Sequence, residues 1–248
     1  ITAKILRVKD EETGKPLVDL VLDKAGQKGT GKWTSQIALD LGVPIPTIDA
    51  AIIARTLSSQ KEARVAASKQ INGRPTGKFT GPNKQTIDYV HDALYASKIC
   101  SYAQGMNLIK AGSDEFGWNI NLSEIARIWQ GGCIIRAKFL GKIKEAYLRN
   151  PNLPNLLLDA EFKSKIEEAQ TGWRIVVSTA MQQGLPVLAM SSSLGYFDMY
   201  RSANLPLNLT QAQRDFFGSH TYERVDKPEL GFVHTEWEEL LEKQRSKI

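Results

Sequence analysis

The sequence predicts an all-α fold, and three observations carry the prediction. Apolar residues recur at three- and four-residue spacing through most of the chain. Period-two alternation is confined to the short stretch 231–235. Capping and breaking residues punctuate the periodic runs. The 248 residues, 42% hydrophobic and 24% charged, suffice for one large or two small cored domains. They exclude a disordered chain, a collagen-like chain and a disulfide scaffold.

Element by element, residues 1–7 read as the end of a helix already under way, as in a piece of a longer protein. Residues 16–23 also read as helix. A helix follows the glycines at 29 and 31 and ends at Gly42-Val43-Pro44. Residues 46–56 and 58–71 form a helix pair. The Gly-, Pro- and Asn-rich stretch 72–83 (NGRPTGKFTGPN) reads as a surface loop or a linker between two helical halves. A helix over 85–110 carries Ile87, Val90, Leu94, Ile99, Tyr102, Met106 and Ile109 on one face. Pro82 or Asn83 can start it and Gly112 can end it. The next begins near Leu122, with Asn121 as N-cap and Glu124 three residues on, and stops at Gly131-Gly132. Further helices cover 133–149, 159–170, 172–183 and 186–201. After Gly218 helical periodicity is lost until Thr235-Glu236. Phe216, Phe217, Tyr222, Phe232 and Trp237 are too many large apolar groups to leave in water, so this tail must pack on its own chain or on a partner.

A weak internal repeat runs through this pattern. Trp33 precedes a helix ending Gly42-Val43-Pro44, and Trp173 precedes one ending Gly184-Leu185-Pro186. Residues 59–64 (SQKEAR) have a counterpart in 210–214 (TQAQR). Duplicated helical units bury their faces against each other. The second copy has a long helical run ahead of it and the first has almost none, so the first copy reads as truncated.

Composition narrows the function classes. The 2 cysteines, Cys100 and Cys133, have no metal or redox spacing and fit a reducing compartment. No apolar run reaches the roughly 18 residues of a membrane span, and nothing at the start reads as a signal peptide. A net charge of +5 suits an anionic small ligand or nucleic acid. Dispersed lysines, with no basic stripe or recognition helix, argue against nucleic acid.

Three clusters could carry chemistry. The first is Lys28-Gly29-Thr30-Gly31-Lys32-Trp33-Thr34. Its glycines let backbone approach a ligand, and a helix starts just after them, so free N–H groups and the positive dipole end face the loop. That combination holds a phosphate or carboxylate. Residues 26–32 also spell G-x-x-x-x-G-K, but a nucleotide P-loop needs Ser or Thr next and the chain has Trp33. The alternative is a Gly-rich helix–helix turn with solvated lysines. The second is Arg55, closing the apolar run 50–54. It either snorkels to solvent or grips an anion. The third is 211–222 (QAQRDFFGSHTY), where Gly218 breaks the helix so that Arg214 and His220 can converge from helix end and loop. Its alternative is a surface histidine and an Arg214–Asp215 ion pair. His91 and His234 have no suggestive company. No nucleophilic triad or metal-ligand set stands out.

Taken together these residues carry a family likeness. Residues 28–34, Arg55 with Leu57-Ser58-Ser59, 64–69 (RVAASK), 101–105 (SYAQG), 132–136 (GCIIR) and 211–222 strongly resemble the decarboxylating 6-phosphogluconate dehydrogenases, in that family's order and spacing and over essentially all 248 residues. The resemblance implies an all-helical domain over 1–218, built from a duplicated unit, and a tail over 219–248 that reaches the partner subunit. It implies substrate binding by Lys28, Thr30 and Arg55, largely at the phosphate, with Arg214 and His220 supplied in trans by a homodimer partner. The substrate implied is 6-phosphogluconate, converted to ribulose 5-phosphate with reduction of NADP in the pentose phosphate pathway of the cytoplasm, without a metal. The family's catalytic lysine and glutamate, its dinucleotide-binding domain and a substrate-binding His-Asn pair have no counterpart in this sequence. The ending HTEWEELLEKQRSKI also lacks the extended Gly- and Ser-rich terminus of some members. The alternatives are a catalytically dead helical dimerisation module derived from the family, and a basic nucleic-acid binder. A chain with these gaps is expected to be inactive alone and to dimerise or to be poorly soluble, because truncation exposes apolar faces.

Overall fold

The computed structural model describes residues 1–73 and 83–246. Most of the loop expected at 72–83, and the last two residues, lie outside them. The described residues form eleven α-helices and one two-stranded antiparallel ribbon. They divide into two compact units, Ile1–Phe197 and Asp198–Ile248.

In the first unit, a short α1 (Thr2–Ile5) leads to an extended stretch. The helix expected at 16–23 is a single 3-10 turn, Leu17–Leu20, followed by extended Val21. Pro16 can begin a turn, but the β-branched Val18 and Val21 and the absence of a side-chain cap leave nothing to propagate it. α2 (Thr30–Asp40), α3 (Pro46–Ser59) and α4 (Lys61–Ser68) follow, with Pro46 at the first turn of α3. α5 (Asn83–Glu115) is 33 residues long and runs straight through Gly112. The terminator is Gly117, at φ +66°. A Cβ at Gly112 would touch Trp118 and Leu41 at ordinary distances, so that glycine accommodates packing rather than a stop.

α6 (Leu122–Ile128) starts where expected. The Asn121 side chain accepts from the amides of Ser123 and Glu124. α7 (Phe139–Arg149) begins six residues later than the sequence pattern suggests. Gly131 and Gly132 leave the preceding segment without helical restraint, and the Tyr102 hydroxyl donates to the Ile135 carbonyl at 2.7 Å, fixing 133–138 as a turn. The two helices expected at 159–170 and 172–183 are one, α8 (Ala160–Gln182), capped by Asp159. Gly172 does not break it. A Cβ there would lie 2.8 Å from Asp92 and 2.9–3.0 Å from Tyr89, so the glycine is the point of closest approach to α5. α9 (Leu188–Tyr200) follows.

The main core lies where α5 and α8 run against each other, with α6 and α7 alongside. Small residues of α5 (Ala93, Ala96, Cys100, Ala103) let α8 bring in Phe162, Ile166 and Trp173. A second, smaller core of Ala38, Ile45 and Leu108 joins α2, α3 and α5. Fully buried Gln104 on α5 ties it together: it accepts from the Thr47 amide (3.0 Å) and donates to the Thr47 hydroxyl (2.9 Å).

The two helix ends paired in the repeat share a local geometry. At the end of α2 the amides of Leu41, Gly42 and Val43 bond the carbonyls of Ile37, Leu39 and Ala38. At the end of α8 those of Gln183, Gly184 and Leu185 bond Thr179, Met181 and Ala180. Gly42 and Gly184 are both left-handed, at φ +65° and +72°. Trp33 and Trp173 are two residues out of this register, however, and differ in environment: Trp33 is exposed and Trp173 fully buried.

The second unit holds α10 (Leu207–Gly218), the ribbon β1 (Tyr222–Glu223) with β2 (Phe232–Val233), and α11 (Trp237–Arg245). The period-two stretch at 231–235 is thus half of that ribbon. α10 groups with the tail rather than with the helices before it.

Candidate functional site

Two cationic clusters are built, one in each unit. In the first unit the loop before α2 is held by the end of α3 and the start of α4. Gly29 is the N-cap of α2 with φ +103°, a conformation an L side chain rarely adopts. Gly31 sits against α3: a Cβ there would meet Ile52 at 3.0 Å. Ser35 donates to Asp49 at 2.6 Å and fixes the same helix pair. Lys28 lies two residues ahead of α2, whose first turn, with its unpaired N–H groups, carries Thr30 and Lys32; all three side chains are exposed.

The rest of the loop is cross-linked to α3 and α4. The Ala25 amide donates to Ser58 Oγ at 2.9 Å, and Ser58 Oγ donates to the Arg55 carbonyl at 2.7 Å. Asp23 receives Lys61 at 2.5 Å and Arg64 at 3.0 Å, and these two cations hold its carboxyl at about 2, below the usual range. The Arg55 guanidinium donates to the Gly26 carbonyl, two residues before Lys28. Arg55 does not stand alone: exposed at the surface of α3, it reaches the lysine loop and bonds it. A guanidinium has five N–H donors, so donors remain for an anion.

Beside this loop lies a large apolar hollow of about 990 Å³, lined by Trp33, Ile37, Tyr102, Phe116, Trp118 and Trp129 among others. No sequence motif marks it, because its walls come from α2, α3, α5, α6 and the turns that follow α5 and α6, far apart in the chain.

In the second unit Arg214 and His220 line one shallow depression with Thr210, Gln213, Phe216 and Phe217. The His220 ring folds back over the end of α10, where a Cβ on Gly218 would lie 3.0 Å from its Nε2. Arg214 donates to Gln211 at 3.1 Å, and Gln211 donates to the Thr221 carbonyl at 2.6 Å.

Asp215 does not pair with Arg214. It is fully buried and accepts four hydrogen bonds from the tail. Oδ1 takes the Thr221 amide and His234 Nδ1, both at 2.9 Å. Oδ2 takes the Thr235 amide at 3.1 Å and Trp237 Nε1 at 2.8 Å. Burial pushes this carboxyl up, but His234, Trp237 and the two amides outweigh it and hold it at about 2. His234 is raised in turn, chiefly by Asp215. So His234, which has no suggestive neighbours in the sequence, is the residue that reasoning from sequence missed. Its partner is nineteen positions away and meets it only through the ribbon.

Among the described residues no three His, Cys, Asp or Glu side chains gather as metal ligands, and no helix is long and apolar enough to cross a membrane. Both cysteines, buried Cys100 and half-buried Cys133, are free thiols.

Residues 1–237 match the family described as 6-phosphogluconate dehydrogenase, C-terminal domain. The chain is 61% identical over 237 residues to the decarboxylating 6-phosphogluconate dehydrogenase of a Synechocystis species, covering 96% of this chain and 49% of that protein. It is 58% identical to the NADP(+)-dependent, decarboxylating enzyme of Bacillus subtilis, covering 96% and 50%. Among solved structures it resembles Plasmodium falciparum 6-phosphogluconate dehydrogenase, solved apo and with its cofactor NADP+ and its substrate 6-phosphogluconate. That match has a TM-score of 0.90 and 48% identity, over 95% of this chain and 50% of that one. The chain spans about half the length of the relatives it matches.

Proposed function

Because the chain belongs to the family of the 6-phosphogluconate dehydrogenase C-terminal domain, we propose that it is the substrate-anchoring half of an NADP-dependent decarboxylating 6-phosphogluconate dehydrogenase. Lys28, Thr30 and Arg55 hold the phosphate of 6-phosphogluconate from one subunit. Arg214 and His220 reach the same phosphate from the second copy of a homodimer.

The observation that carries this reading is the Arg55 guanidinium on the Gly26 carbonyl. It fixes the arginine to the loop whose lysine, threonine and helix N-terminus already suit a dianion. Asp23 is engaged by Lys61 and Arg64, so this carboxylate does not pair with Lys28 or Arg55.

The overall conversion oxidises the C3 hydroxyl of 6-phosphogluconate and then releases CO₂ to give ribulose 5-phosphate. NADP+, when bound, supplies the hydride acceptor. The phosphate lies three carbons from the reacting centre, so the cations of this chain do no proton transfer. They orient the sugar acid, and their binding energy restricts it to a reactive placement. The acid and base come from the half of the protein not contained in this chain. Lys28→Ala and Arg55→Ala in the full-length enzyme each remove a charge-assisted contact, so KM for 6-phosphogluconate rises by about tenfold or more. An unchanged KM in both variants overturns the assignment.

A further inference from the structure

We propose that Asp215 is a positioning residue for substrate binding, acting through the turn that presents His220. This rests on the reading of Arg214 and His220 as phosphate ligands.

His220 sits in an unusual stretch of backbone. Its neighbours Ser219 and Thr221 both have positive φ, +52° and +60°, although neither is glycine. Such residues persist only where surrounding bonds over-determine them. Here both bonds lead to Asp215. The Ser219 amide donates to the Asp215 carbonyl oxygen at 2.9 Å, and the Thr221 amide donates to its carboxylate at 2.9 Å. His220 is therefore held between two anchors on one residue. That residue is also the chain neighbour of Arg214, and Gln211 ties Arg214 to the Thr221 carbonyl. One buried residue thus sets the spacing of the Arg214 and His220 side chains.

The chemistry demands an aspartate. Three of the four groups around the carboxylate, the Thr221 and Thr235 amides and Trp237 Nε1, can only donate, and His234 Nδ1 completes the set as a donor when it carries the ring proton. Only an ionised carboxylate accepts at every position. An asparagine sets its NH₂ against the Thr235 amide and Trp237 Nε1 in one orientation and against the Thr221 amide in the other. His234 and Trp237 belong to the final segment of the chain, so the order of that segment also bears on the His220 turn.

The test is steady-state kinetics of the full-length dimeric enzyme carrying Asp215→Asn, with Arg214→Ala beside it. Asp215→Asn is expected to raise KM for 6-phosphogluconate about tenfold, with kcat and KM for NADP+ little changed, since misplacing ligands that bind ground and transition state alike shows in KM. Trp237→Phe keeps the charge and the ring but removes one donor. It is expected to shift the same KM in the same direction by less, and it serves where Asp215→Asn does not fold. The proposal is overturned if neither variant changes that KM, or if kcat and both KM values fall out of range together, as general loosening would produce. If Arg214→Ala itself leaves the KM unchanged, the phosphate-ligand reading fails. If Arg214→Ala raises it and Asp215→Asn and Trp237→Phe do not, only the positioning role fails.

Discussion

At Gly172 two helices approach so closely that a methyl group has nowhere to go. The obstacles are Asp92, the Tyr89 ring and the Tyr89 Cα, the last being backbone that cannot swing aside. Gly172→Ala is expected to lower stability by about 1–3 kcal/mol, read as a reduced denaturation midpoint. The Gln104–Thr47 pair gives a second expectation at this scale. Gln104→Leu leaves the buried Thr47 amide and hydroxyl without partners and costs about 1–3 kcal/mol, whereas Thr47 on the same buried seam tolerates serine with less. The sequence pattern could not tell Gly172 as a crossing point from Gly172 as a helix stop. A glycine amid helical periodicity carries both meanings, and only the partner helix decides. The same ambiguity placed the end of α5 at Gly112 when the left-handed residue is Gly117.

Among elements, the helices with strong periodicity and a side-chain cap were legible from sequence. Asn121 caps α6 as expected, and Asp159 caps α8, whose start was legible at 159 while its continuation through Gly172 was not. What was not legible came from tertiary bonds. The turn at 133–138 is fixed by Tyr102 from another helix, and the Asp215–His234 pair is brought together by a two-residue ribbon. That pair makes the tail sensitive to pH at both ends. His234 is raised above 6.5 when folded, so its contribution is complete below 6.5 and fades as pH rises through the folded value. Asp215 is lowered from 3.8 to about 2, so its contribution is complete above 3.8 and fades as pH falls toward 2. Protection of residues 215–237 from amide exchange, corrected for intrinsic rates, is expected to be greatest between pH 3.8 and 6.5. Equal protection at pH 6 and pH 9 would contradict the coupling. Neutral His234 still donates from Nδ1 in one tautomer, so the tail weakens at high pH rather than detaching.

For the whole molecule, the sequence carried the family and the cationic residues, because these lie in short contiguous motifs. The apolar hollow beside Trp33 was not foreseeable, since it depends on what folds around it, whereas Phe217, among the tail residues expected to need a partner, is exposed on this chain, as is Val225. Apolar surface on this scale favours association. The 248-residue chain is expected to sediment as a dimer or larger, and a monomer at high concentration would count against that. It is also expected to reduce no NADP+ with 6-phosphogluconate, since the family resemblance implies that acid and base lie outside these residues; a clear rate from the pure chain would refute that. The claim on which the account turns is that each phosphate site draws on two subunits. Mixed dimers of the full-length enzyme test it most directly, with Arg55→Ala in one subunit and Arg214→Ala in the other. If Arg214 acts in trans, every mixed dimer has one site with both lesions and one site with none, and activity at low 6-phosphogluconate returns on mixing two weakened parents. If both arginines serve the same subunit, every site keeps one lesion and mixing restores nothing.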